Sequence, residues 1–235
     1  MNSETAISSS SQQVLMGVGY EETARRSFDV NWATWTSGVA TRFMDIVLSL
    51  AAIVLVLPLM AVIALAVKLT SCGPVFFLQE RAGYLGVPFK MIKFRSMVVD
   101  AEERLSDLIR IEELKEPVYK IKDDPRVTPV GEFLRRFGLD ELPQFVNVLR
   151  GEMSIVGPRP EAVALARRYN SRERQRLLAK PGITGYQQIH NRGTSDMAAK
   201  LEYDLHYLQN RGLILDIRIM LRTTLVMACG KEILD

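Results

Sequence analysis

The run "IVLSLAAIVLVLPLMAVIALAV", from Ile46 to Val67, holds 22 residues without a charge. About 20 predominantly apolar residues suffice for a helix to cross a hydrocarbon core, so this segment reads as a membrane element. Both of its shoulders are basic: Arg25, Arg26 and Arg42 precede it, and Lys68, Arg81, Lys90, Lys93 and Arg95 follow. A simple span concentrates positive charge on the cytoplasmic side, so charge on both shoulders points to two ends facing one compartment. Pro58 lies near the middle of the run, where it cannot donate to the carbonyl of Val54 and its ring crowds that turn; a kink or break is expected there. Two paths stay open on these residues: a bent helix that leaves on the side it entered, and an ordinary span with a tolerated proline. The stretch "LTSC", Leu69 to Cys72, resembles a lipoprotein cleavage site, but about forty-five residues precede the apolar run, far too many for a signal peptide.

Around this element, 235 residues with 48% hydrophobic content can bury one principal core. Thirty Lys and Arg against 27 Asp and Glu leave a net charge of only +3, without the basic excess of a nucleic-acid binder. Cys72, Cys229, His190 and His206 are far apart in sequence and suggest neither a disulfide framework nor a zinc site. A reducing, cytoplasm-facing setting fits. Residues 1–37 carry no sustained apolar period and read as a mobile arm, residues 38–70 as the anchor, and residues 71–235 as a catalytic domain with interfacial helices.

Within that domain, "GPVFFLQERAGYLGVPFKMIKF" reads as short strands or loops near the membrane exit. "VVDAEERLSDLIRIEELKE" has helical spacing and alternating charge, a solvated helix. "LPQFVNVLRGEM" reads as a second helix, and the arginine-rich "EAVALARRYNSRERQRLLAKPG" as a third, closed by Pro181-Gly182. Near the C-terminus, "GLILDIRIMLRTTLVMA" suits an interfacial helix or a core helix about equally.

Adjacent carboxylates in "GLDELPQF", Asp140 and Glu141, cannot clamp one atom from two sides, because successive helical residues lie about 100° apart. A division of labour is more natural: one faces a reacting centre while the other holds a hard cation such as Mg²⁺. The plain alternative is a helix start, with Asp140 as N-cap and Glu141 in the first turn. The surrounding cations favour chemistry. Arg135 and Arg136 precede the pair, Arg159 stands between Pro158 and Pro160 on a pre-ordered backbone suited to forked phosphate recognition, and Lys93, Arg95 and Arg126 add charge. The implied ligand is a diphosphate that needs both a metal and arginines.

The stretches "GPVFFLQERAG", "FKMIKFRSM", "DDPRVTPVGEFLRRFGLDELPQFVNVLRGEMSIVGPRP", "KPGITGYQQI" and "LDIRIMLRTT" resemble the monotopic phosphoglycosyl transferases, or bacterial sugar transferases, from about Ala40 to about Cys229. The resemblance implies an α/β, mainly helical and irregular catalytic domain with one re-entrant membrane helix broken at Pro58. It implies transfer of a sugar 1-phosphate from a UDP-sugar to undecaprenyl phosphate with release of UMP, on the cytoplasmic face of the bacterial inner membrane, as the first membrane step of exopolysaccharide or related glycan assembly. UDP-galactose and UDP-glucose are the donors it favours, although no residue selects the sugar. Mg²⁺ is the implied cofactor. Asp140 is then the nucleophile that forms a covalent phosphosugar, Glu141 and Asp140 the metal partners, and Lys93, Arg95, Arg135, Arg159 and Arg192 the phosphate-binding cations. A homodimer and association with other glycan-assembly enzymes are compatible with the resemblance, and nucleic acid is not an expected partner. The competing reading is a catalytically silent membrane scaffold or lipid-binding protein on the same fold. Three positions depart from the pattern: Gly138 where many members have serine, Leu57 before Pro58 where some have serine, and Asn191 before Arg192 where glycine is common.

Overall fold

A computed structural model describes residues 35–110, 113–116, 121, 123–190 and 196–229. Nearly all of the expected arm, and the segment carrying Asn191 and Arg192, lie outside the described residues. The first element, α1 (Trp35–Thr70), is a single helix of 36 residues, about 54 Å long at 1.5 Å per residue. It runs unbroken through Pro58, so the expected division at that proline is not found. Proline removes one donor from the ladder while its neighbours keep theirs, and a long apolar helix tolerates that loss.

Most of α1 is apolar and uncovered: Val54, Leu55, Val62, Leu65 and Leu69 are each more than half exposed. Its two ends are held differently. Near the start, Arg42 donates from Nη1 to the carbonyl of Val148 at 2.6 Å and from Nη2 to that of Leu149 at 2.8 Å. The buried Asp45 accepts from the Ser154 hydroxyl at 3.1 Å and the Ile155 amide at 2.9 Å. Near the finish, Ile63 and Val67 are buried with Phe94 and Leu134. One domain thus grips both the head and the tail of the anchor.

That domain opens with an antiparallel hairpin, β1 (Phe76–Ala82) and β2 (Pro88–Phe94), in which Phe77 pairs with Lys93 and Glu80 with Lys90. After a short α2 (Leu105–Leu108) come α3 (Pro129–Arg136), a 3-10 turn at Leu139–Glu141, and α4 (Gln144–Arg150). A second small sheet pairs β3 (Ser154–Val156) in parallel with β4 (Gly182–Thr184). Between these strands lie α5 (Val163–Ala166) and a 3-10 stretch at Glu173–Leu178; α6 (Tyr186–His190), α7 (Met197–Asn210) and α8 (Leu213–Cys229) follow β4. The main core gathers Met91, Val148, Met153, Ile155, Tyr207 and Ile219 from both sheets, α4, α7 and α8.

Two expected helices are much shorter than their spacing suggests. Among its described residues, the charged stretch after β2 keeps as α-helix the four residues of α2; exposed pairs such as Arg104–Asp100 add only tenths of a kcal/mol. The arginine-rich segment is split at Asn170, whose side-chain oxygen accepts from the amides of Arg172 and Glu173, each at 2.9 Å. That turn competes with helix continuation. The last helix carries one core-facing side, as the core reading expects, and one exposed apolar side. Asp216, Ile219 and Val226 face the core, while Ile214, Ile217, Leu221 and Leu225 are exposed on the other side.

Candidate active site

The loop carrying Asp140 is shaped by what precedes it. Thr128 caps α3 by accepting from the Gly131 amide at 3.0 Å, and Pro129 occupies the first helical turn, where its missing N–H costs nothing. Gly131 is required by proximity: a Cβ there would lie 1.9 Å from the Ser96 carbonyl oxygen. This approach lets Arg135 donate from Nε to the Ser96 hydroxyl at 2.9 Å. Gly138, with φ of 67°, reverses the chain beyond α3 in the left-handed region, which glycine enters without the penalty a serine would carry.

Asp140 sits inside the 3-10 turn, not at a helix cap; α4 has Pro143 at its N-cap and no side-chain cap bond. The capping alternative is therefore excluded. Asp140 is buried, and no hydrogen bond or ion pair is formed by its carboxylate among the described residues. Among the described residues Glu141 is engaged on one oxygen. Its Oε1 receives Lys93 Nζ at 3.3 Å and Arg159 Nη2 at 2.8 Å.

The two acids are driven apart electrostatically. Burial lifts Asp140 above its ordinary 3.8, and the Glu141 charge adds to that, while Lys93, Arg135 and Arg159 oppose it. Burial would also lift Glu141, but Arg159 and Lys93 outweigh it and hold its carboxyl at about 2. Lys93 is lowered by its own burial, with Glu141 supporting the charged form. Arg135 is lowered by burial against the pull of Asp140, and Arg159 is raised by Glu141. Neighbouring titratable groups pushed in opposite directions are chemically unlike, although the two carboxylates are adjacent in sequence.

Of the expected cations, Lys93, Arg135 and Arg159 converge here. Arg95 does not: it is buried, and its Nη2 donates to the Ser71 carbonyl at 2.8 Å and hydroxyl at 2.7 Å. Alternation alone would keep residue 95 on the face of Lys93; but β2 ends at Phe94, and beyond it Arg95 is drawn to Ser71, just after α1. Arg126 is likewise diverted, paired with Asp124 at 2.7 Å and donating to the Ala101 carbonyl at 2.9 Å. Arg136 lies over the Phe137 ring. Arg192 lies outside the described residues.

Asn147, which the sequence pattern does not single out, braces the strand that carries Lys93. It is fully buried on α4, accepts from the Ile92 amide at 3.0 Å, and donates to the Lys90 carbonyl at 2.8 Å and to Glu152 Oε2 at 2.6 Å. In this way it continues the edge of β2 and sets the strand that presents Lys93. An asparagine within the apolar "LPQFVNVLRG" was the available signal.

The bacterial sugar transferase family matches this chain over residues 36–230, and the chain belongs to that family. It is 46% identical over 190 residues to the UDP-glucose:undecaprenyl-phosphate glucose-1-phosphate transferase of Escherichia coli K12, covering 77% of this chain and 39% of that protein. It is 37% identical over 205 residues to the galactosyl transferase CpsE of Streptococcus agalactiae serotype III, covering 87% and 45%. The exopolysaccharide production protein ExoY of Sinorhizobium fredii is 37% identical over 191 residues, covering 79% and 84%. The chain thus spans less than half the length of the first two relatives and most of the third.

Proposed function

We propose that this chain is a monotopic phosphoglycosyl transferase, moving a sugar 1-phosphate from a UDP-sugar to undecaprenyl phosphate through a covalent intermediate on Asp140. The observation that carries the reading is the Asp140 carboxylate, buried and unengaged among the described residues, beside a Glu141 locked by Lys93 and Arg159. An Asp140 oxygen attacks the sugar-bearing phosphorus, the bond from that phosphorus to the bridging oxygen breaks, and UMP leaves with that oxygen. A phosphate oxygen of the lipid then attacks the same phosphorus, displacing the Asp140 carboxylate and yielding the lipid diphosphosugar. Two displacements replace one, as in other carboxylate-nucleophile catalysis. Lys93, Arg135 and Arg159 stabilise the phosphoryl oxygens; a like part for Arg192 rests on resemblance.

The donor set suits Mg²⁺. Glu141 Oε2 has no partner among the described residues, and Asp140 is adjacent; no group of three or more His, Cys, Asp or Glu that could form an all-protein cage is found there. One or two carboxylates plus substrate phosphates is the usual Mg²⁺ environment. When bound, the ion would neutralise diphosphate charge and assist departure of UMP.

A re-entrant path for α1 is supported by its contacts, since Arg42 and Asp45 at one end and Ile63 and Val67 at the other are held by one domain. That domain faces the cytoplasm in this reading, with the exposed apolar side of α8 in the interface. UDP-glucose and UDP-galactose are the favoured donors, in keeping with the relatives' names.

Purified protein with Mg²⁺, undecaprenyl phosphate and a panel of UDP-sugars is expected to release UMP and form a lipid diphosphosugar, both lost in Asp140→Asn. Normal turnover by that variant would remove Asp140 as nucleophile. Absence of UMP with every donor would favour a silent scaffold.

A further inference from the structure

Arg159 reaches Glu141 from a loop that has little means of holding itself. Pro158 and Pro160 lack amide donors, yet the carbonyls of residues 158–161 all find partners. Pro158 accepts from the Gly182 amide at 2.9 Å and Glu161 from the Ala82 amide at 3.0 Å. The two between them, at the turn itself, are taken by guanidinium groups. Arg176 Nη2 donates to the Arg159 carbonyl at 3.3 Å, and Arg81 Nη1 to the Pro160 carbonyl at 3.2 Å.

Each of these arginines is itself held. Arg81 donates from Nε and Nη2 to Gln79 Oε1 at 3.0 and 2.5 Å. Arg176 is almost fully buried, paired with Asp204 at 2.7 Å and Glu161 at 3.8 Å, and donates to the Tyr169 hydroxyl at 2.9 Å. Lys200 completes the group at 3.3 Å from Glu161. A guanidinium presents several donors in a fixed fork, so one side chain can bind an acid and still reach a carbonyl. Burying this charge network is expensive, and its location beneath the loop gives it a task.

We propose that Arg81 and Arg176 are positioning residues that grip consecutive carbonyls of the Pro158–Pro160 loop and so aim the Arg159 guanidinium at Glu141 and the substrate phosphate. Among the described residues neither bonds Asp140 or Glu141, and both act through Arg159. The inference rests on the proposed phosphoglycosyl transfer for its catalytic consequence, and on loop geometry alone for its mechanical one.

The test is a double-mutant cycle on the full chain in lipid nanodiscs. Arg81→Met lowers turnover by about 10- to 100-fold, as misplacement of a reacting group does. In an Arg159→Met background the same substitution changes turnover less than about twofold, because the group it positions is gone. Arg81→Lys restores part of the loss. Arg176→Met leaves Asp204 and Glu161 underpaired and threatens folding, so its partner variant is Arg176→Met with Asp204→Leu, accepted for the cycle when its Tm stays near that of the parent. Independent multiplication of the Arg81 and Arg159 losses would overturn the proposal.

Amide hydrogen exchange supplies the second readout. In Arg81→Met the amides of Ala82 and Gly182, which bond the loop carbonyls, exchange faster, while the Gly157 amide, bonded to Thr184 at 2.9 Å, keeps its rate. Unchanged exchange at Ala82 and Gly182 overturns the positioning inference whatever the activity. Full turnover in Arg159→Met, with exchange altered as expected, would instead remove the phosphate role from Arg159 and leave the clamp standing.

Discussion

Asp216, a buried acid outside the candidate site, shows at the scale of one residue how environment sets charge. Burial pushes its carboxyl up to about 6 from an ordinary 3.8, although the Tyr207 hydroxyl, donating at 2.9 Å, favours the ionised form. A folded-state pKa raised in this way gives stability that is fully present below 3.8 and lost as pH rises through about 6. At pH 8, Asp216→Asn is therefore expected to be more stable than the parent by about 2–3 kcal/mol, since one pKa unit corresponds to about 1.4 kcal/mol. Thermal unfolding at pH 8 and pH 4 checks this: the Tm gap should close at the lower pH, and a gap of constant size would count against the assignment. Glu141 has the opposite sign. Held at about 2 by Arg159 and Lys93, it contributes stability above its ordinary 4.5 that falls away only as pH drops towards 2.

At the level of elements, the site depends on how β2 meets α4. Lys93 is carried on one, the turn of Asp140 and Glu141 leads into the other, and Asn147 joins them through the Ile92 amide and the Lys90 carbonyl. Asn147→Ala leaves those two part-buried backbone groups without their side-chain partner. The expected cost is about 2–4 kcal/mol, read as a drop in denaturation midpoint, with UMP release falling further than the folded fraction does. A variant of unchanged stability would mean that water replaces the amide. Short strands after the apolar run, the α4 helix and a helix near the C-terminus were legible in residue pattern, because alternation and 3.6-residue spacing are local properties; the pairing of the strands into a hairpin was not. The charged α2 region and the split arginine-rich segment were not, because spacing says nothing of whether a face finds something to pack against, and Asn170 competes through a turn.

For the whole molecule, the anchor and catalytic domain are one packed unit. Arg42 binds the terminal carbonyls of α4, and Val67 lies in the core with Phe94. Single cysteines at Val39 and Leu69, both well exposed, placed in a Cys72→Ser, Cys229→Ser background, test the path of α1. An impermeant thiol reagent is expected to reach both from the cytoplasmic side of oriented vesicles. Labelling from opposite sides would establish a simple span and defeat the re-entrant reading.

The sequence by itself determined that there is a helix at Ile46–Val67 long and apolar enough to cross a membrane, a principal domain after it, and an acid pair set among cations; each follows from composition and short-range order. It could not decide which cations serve the pair. Lys93, Arg135 and Arg159 come together while Arg95 turns to Ser71 and Arg126 to Asp124. Nor could it foresee Asn147, Arg81 or Arg176, whose partners lie far away along the chain. The reason is physical: a guanidinium or amide satisfies its donors with whatever acceptors packing brings within about 3 Å, and only the tertiary structure settles which those are.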